Sequence, residues 1–143
     1  MNREDLTSAY RDYIACLNKQ DWQKLSRFVH KDVQRNGKKV GLDGYRAMLE
    51  TNSEDIPDLS FKIDLLVSEP PTIASRLRFD CTPKGLLFGL PVNGRKISFA
   101  ENVFYIFRDD KIELVWSVID TAAIEAQIDH TEGEQETSGN AHV

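Results

Sequence analysis

The stretch that decides the fold runs from Lys96 to Asp120 and reads KISFAENVFYIFRDDKIELVWSVID. Two apolar runs flank Arg108-Asp109-Asp110, a polar turn of the kind that reverses antiparallel strands. Strand side chains alternate between faces, so Ile112, Leu114, Trp116, Val118 and Asp120 are expected to share one face of the second run. That face is apolar until it ends in a carboxylate. A charge at the end of an apolar stripe is costly to bury unless partnered or protonated. Asp120 is therefore the first candidate for chemistry.

Moving upstream, the period is again two. Leu59, Phe61, Ile63, Leu65 and Val67 alternate with polar or small residues and predict a half-buried strand that Pro70-Pro71 ends. In the next run Ile73, Ser75, Leu77, Phe79 and Cys81 share one face, and Ala74, Arg76, Arg78 and Asp80 share the other. The charged face either lines a polar cavity, where the Arg-x-Asp pair holds its charges together, or is solvated.

Toward the N-terminus the period becomes helical. Leu6, Ala9, Tyr10, Tyr13, Ile14 and Leu17 predict an amphipathic helix, with Asn2 as its cap and Asp5 in its first turn. Tyr13 is either core or a phenol that reaches a pocket. A short helix is expected over Trp22–Phe28, and another over Leu42–Leu49 capped by Asp43. Between them Asn36-Gly37 marks a hairpin turn, because both residues tolerate positive φ. His30 is expected in a loop. Ala122–Ile128 predicts a last helical turn or two, and residues 129–143, nearly without bulky apolar side chains, a disordered tail. Residues 1–128 then form one domain.

Helices first and antiparallel strands after them imply an α+β fold, with helices packed on one face of a curved antiparallel sheet. Such a cone-shaped barrel supplies a pocket on its concave side. The net charge of −5 argues against a nucleic-acid partner, which needs a basic face. No apolar run reaches the length of a membrane span, and the polar N-terminus is not a secretory signal. The two cysteines, Cys16 and Cys81, have neither disulfide-framework nor metal-ligand spacing. A reduced, cytoplasmic protein without a metal site or a membrane partner is expected.

In order along the chain, Ala74-Ser75-Arg76, Thr82, Gly85, Gly89, Pro91, Gly94-Arg95, Lys111-Ile112, Trp116, Asp120 and Gln127 form a series. This series resembles the pattern of the SnoaL-like polyketide cyclases, within the nuclear-transport-factor-2-like superfamily. The resemblance spans roughly Leu6 to Ile128. It implies a cone-shaped barrel, usually a homodimer, with a deep apolar pocket and no cofactor. The aspartate that Asp120 matches acts in that family as general acid/base in an intramolecular aldol ring closure. The chain departs from the pattern at Pro83, where the family has histidine, and at Asp110, where it has glycine. Asn36 stands near a frequent histidine, and Phe104 and Ile106 stand where a cyclase carries its companion polar pair.

Three functions follow as expectations. The first is a cofactor-independent enzyme of secondary metabolism that acts on a small hydrophobic, oxygenated, polyketide-type substrate. Asp120, Arg78 and Asp80 would be its catalytic groups, and Trp116, Arg76, Asn102, Tyr13 and Asn36 would bind the substrate. The second is an epoxide hydrolase, because Arg78-Phe79-Asp80 resembles the Arg-x-Asp strand of limonene-epoxide hydrolases and Asp120 could complete the set. The third is a non-catalytic binding or dimerisation module in which Asp120 only caps the last helix.

Overall fold

The computed structural model describes the backbone of residues 1–136 and the side chains of residues 1–129. Helix α1 (Arg3–Asn18) leads through a 3₁₀ turn (Trp22–Arg27) into strand β1 (Val29–Arg35) and the short β2 (Lys38–Lys39). Helix α2 (Gly41–Asp55) follows, then β3 (Lys62–Glu69), β4 (Thr72–Cys81) and the small hairpin β5 (Leu86–Leu87) and β6 (Leu90–Pro91). Strands β7 (Ile97–Arg108) and β8 (Lys111–Ile119) precede helix α3 (Thr121–Glu136).

Six strands make one sheet in the order β2-β1-β8-β7-β4-β3. The fold is α+β, as expected, with a curved sheet against the N-terminal helices. Two details differ from the expectation. The sheet is mixed, because β1 runs parallel to β8, and it stays open, with β2 and β3 as its edges. A parallel neighbour needs a long crossover, and the 75 residues between Arg35 and Lys111 supply it.

Local chemistry explains the elements. Asn2 Oδ1 accepts from Asp5 N at 2.8 Å and caps α1. Leu6, Tyr10, Tyr13, Ile14 and Leu17 of that helix are buried in the core, as their spacing predicts. Asn36 and Gly37 both have positive φ, 50° and 81°, in the turn between β1 and β2. Asp109 and Asp110 do the same, at 52° and 62°, between β7 and β8. Helix α2 runs well past Leu49, and Asp43 lies in its first turn while Val40 occupies the cap position. His30 lies on β1 and is buried, rather than in a loop.

Strand β8 departs from simple alternation. Ile106 pairs with Leu114 but Phe107 pairs with Ile112, so Glu113 is an extra residue in the ladder. A bulge of one residue reverses which face later side chains occupy. Ile112 and Val115 point inward, while Trp116 and Val118 are 45% and 69% exposed on the convex face. The single face expected for Ile112 through Asp120 is therefore split at Glu113.

Helix α3 continues to Glu136, so residues 129–136 are helical rather than a tail. The remainder of the expected tail, residues 137–143, lies outside the described residues. Gln127 fastens α3 to the start of β7: Ser98 N donates to its Oε1 at 2.8 Å, and its Nε2 donates to Ser98 O at 2.6 Å.

Candidate active site

The concave side of the sheet and helices α1 and α2 enclose a cavity of about 260 Å³. On β7 the inward residues are Phe99, Glu101, Val103, Tyr105 and Phe107, an apolar stripe broken once by a carboxylate. Phe99, Glu101 and Tyr105 line the cavity. Arg35 reaches it from β1, Tyr13 from α1, and Tyr45 and Asn52 from α2. Phe61, Phe79 and Phe88 supply an aromatic end.

Glu101 is the buried charge of this cavity, with its side chain only 16% exposed. Ser117 Oγ, on the neighbouring strand, donates a short hydrogen bond to its Oε2. An Arg35 terminal nitrogen lies 3.7 Å from the same oxygen. Burial pushes the Glu101 carboxyl above the ordinary carboxylate range, and the Ser117 hydroxyl and Arg35 draw it part of the way back. Across the cavity the Tyr13 and Tyr45 hydroxyls are 2.7 Å apart. Burial raises the pKa of both phenols, so they remain neutral hydrogen-bond donors at neutral pH.

Asn36 bears on this arrangement from outside. Its Oδ1 accepts from Ser117 N at 2.8 Å and its Nδ2 donates to Ser117 O at 3.3 Å. It thus holds the backbone of the residue that donates to Glu101. Asn36, expected from the sequence to bind substrate, does not line the cavity.

Of the site residues expected from sequence, the structure brings only Tyr13 to the cavity. Asp120 is exposed, and its Oδ1 accepts from Ala123 N at 3.1 Å as the cap of α3. The bulge at Glu113 puts Trp116 on the convex face as well. Arg76, Arg78 and Asp80 occupy that outer face because β4 alternates as read, with Leu77 and Phe79 turned inward. There Arg76 pairs with Asp64 at 3.3 Å and donates to Asn102 Oδ1 at 3.3 Å. Arg78 and Lys62 flank Asp80 at 3.5 and 3.7 Å. The Ser98 hydrogen bond, with Arg78 and Lys62, holds the Asp80 carboxyl below its ordinary value. An outer groove of about 160 Å³ collects Asp64, Arg76, Arg78 and Asp120.

Among the described residues no group of three or more His, Cys, Asp or Glu is placed to hold a metal. Cys16 and Cys81 are both buried and free, and burial pushes the Cys81 thiol up to about 11. No helix of the described residues is long and apolar enough to cross a membrane.

The family model described as SnoaL-like polyketide cyclase matches residues 7–128. The chain belongs to this family. A SnoaL-like polyketide cyclase from Agrobacterium tumefaciens is 48% identical, with a TM-score of 0.86 over 90% of this chain and 99% of that one. TsrD from Streptomyces laurentii shares the fold at 22% identity, with a TM-score of 0.79 over 90% and 97% of the two chains. IdmH from Streptomyces antibioticus does so at 17% identity, with a TM-score of 0.74 over 85% and 96%. No curated protein matched.

Membership supports a cyclase-like role. Several residues that carry the resemblance to SnoaL-like cyclases are scaffold in this chain. Arg95 donates to the carbonyls of Pro91, Val92 and Ile128, and Thr82 is bound through its N and Oγ1 to Asp58. The polar groups of the cavity, Glu101, Arg35 and Tyr45, lie outside that series. The signal for Glu101 was present in the sequence, as a carboxylate between Phe99 and Val103 in a period-two stripe.

Proposed function

We propose that this protein is a cofactor-independent enzyme that closes or isomerises a hydrophobic, oxygenated substrate in the concave cavity, with Glu101 as general acid/base. The observation that carries this reading is a single carboxylate held inside an aromatic-lined cavity, where burial brings its pKa toward neutrality. Glu101 would take a proton from a carbon next to a carbonyl. The enolate oxygen would accept hydrogen bonds from the Tyr13–Tyr45 pair, which needs no ionisation to donate. The enolate carbon then attacks a second carbonyl of the same molecule, and Glu101 returns its proton to the new alkoxide.

Glu101→Gln tests this. The amide keeps the shape and cannot exchange the proton, so turnover of a poly-β-ketone substrate should fall about 10²–10⁴-fold, with the fold intact by circular dichroism. Full turnover by the variant removes Glu101 from the chemistry. Ligand binding by the wild type without any turnover favours the binding module.

A second reading keeps Asp120 with Arg78 and Asp80 as the acid/base set, for ring closure or epoxide opening. The outer groove favours it, because Asp120 and Arg78 meet there. It is the weaker reading, since Arg78 is 55% exposed and Asp120 caps a helix.

A further inference from the structure

We infer that the cavity selects a neutral compound of one or two rings, one of them flat and aromatic, bearing a carbonyl, and excludes both anions and extended four-ring systems. This deepens the proposed function and rests on the concave cavity being the substrate site.

Size is the first constraint. A dry cavity of about 150 Å³ accepts a single benzene ring, and drug-sized ligands occupy about 300–1,000 Å³. At about 260 Å³ this cavity falls between the two. There is room for a bicycle, or for one ring with short substituents.

Shape is the second. Phe79 and Phe99 lie nearly parallel, with centroids 5.1 Å apart and planes at 25°. Phe61 meets Phe79 edge-on at 5.2 Å, and Phe88 meets Phe99 edge-on at 6.2 Å. The result is an aromatic end whose ring faces and edges suit a flat ring. Glu101 follows Phe99 by two residues on the same strand face, about 7 Å along it. A ring seated against the phenylalanines therefore directs its substituent toward Glu101.

Charge is the third. Arg35 and Glu101 are the charged side chains of the lining and sit 3.7 Å apart, so they offset one another. A ligand carboxylate or phosphate would enter an apolar lining with no second cation to meet it, and burying such a charge is costly. A ketone or enol oxygen needs only the donors already present.

Isothermal titration calorimetry of the full chain decides the matter, with 2-tetralone as the neutral bicycle, 2-naphthoate as the anion of similar size, and progesterone as the neutral four-ring ketone. 2-Tetralone should bind about tenfold or more tighter than either of the others. Naphthoate or progesterone binding as tightly as tetralone, or no tetralone binding at millimolar concentration, overturns the inference. Leu49→Phe, which fills the cavity, should abolish tetralone binding. If circular dichroism shows that variant unfolded, Leu87→Phe on the peripheral hairpin replaces it. Retained tetralone binding in a folded cavity-filled variant also overturns the inference. Glu101→Gln separates this claim from catalysis. Wild-type-like tetralone binding by Glu101→Gln supports the inference whatever its turnover. Tighter naphthoate binding by Glu101→Gln, whose amide no longer offsets Arg35, supports the charge limit, whereas progesterone bound as tightly as tetralone by that variant overturns the size limit and leaves Glu101's role standing.

Discussion

Glu101 and Asp120 are two carboxylates of one hairpin, used in different ways. Glu101 is enclosed by aromatic side chains with a hydroxyl and a guanidinium beside its Oε2, whereas Asp120 faces water and holds a helix terminus. Enclosure, rather than identity, makes a carboxylate able to trade a proton near neutral pH. Ser117 tunes that ability. Its hydroxyl favours the ionised form of Glu101 and works against burial. Asn36, at φ 50°, fixes Ser117 through both backbone groups. Asn36→Ala should loosen that donor, so the Glu101 pKa rises further. The base form then appears at higher pH, and the acid limb of the kcat/KM profile should move upward. KM at the optimum should change little, because Asn36 does not line the cavity. An unmoved acid limb would sink the positioning role, even if kcat fell.

At the scale of elements, the decisive event is one extra residue in β8. With alternation unbroken, Asp120 would follow Ile112 onto the concave face. The bulge at Glu113 hands the inward positions to Val115, Ser117 and Ile119 instead. A bulge leaves no periodic mark, since it is itself a break in period, so the helices, strands and hairpin turns were readable while this parity was not. The carboxylate on β7, which has no bulge before Glu101, is legible by the same stripe logic as an acid between Phe99 and Val103. Arg35 and Tyr45 were not readable, because their approach to Glu101 depends on β1 lying parallel to β8. The outward placement of Asp120 has a direct consequence for α3. Asp120→Ala removes the cap and should cost about 0.5–2 kcal/mol, seen as a lower melting temperature. Asp120→Asn keeps an equally good capping oxygen and should preserve stability. Turnover per folded molecule should survive both changes. Loss of turnover in the folded Asn variant would return the chemistry to the outer groove.

At the scale of the whole molecule, nothing among the described residues covers the convex face of the sheet as helices α1 and α2 cover the concave face. Val67, Ala74, Phe104 and Trp116 pair successively across β3, β4, β7 and β8, and three of the four are large, exposed apolar side chains. Leu65, Arg76, Asn102 and Val118 make the adjacent row. Exposed apolar side chains grouped on one sheet face in this way mark an interaction surface. We propose that a second copy of this chain covers it. A twofold axis through the face would bring the two copies' apolar rows, Val67, Ala74, Phe104 and Trp116, together. The same face presents Arg76 and Arg78 beside Asp64 and Asp80, so both signs are available to each partner there. The cavity opens on the opposite side of the sheet and would stay accessible in such a dimer. Small-angle scattering at micromolar concentration should therefore report twice the chain mass. Phe104→Asp and Val118→Lys, each adding a charge to an exposed position, should yield folded monomers that still bind a cavity ligand. A wild-type monomer at that concentration would rule out the dimer, and a dimer that survives both substitutions would rule out this face as its interface.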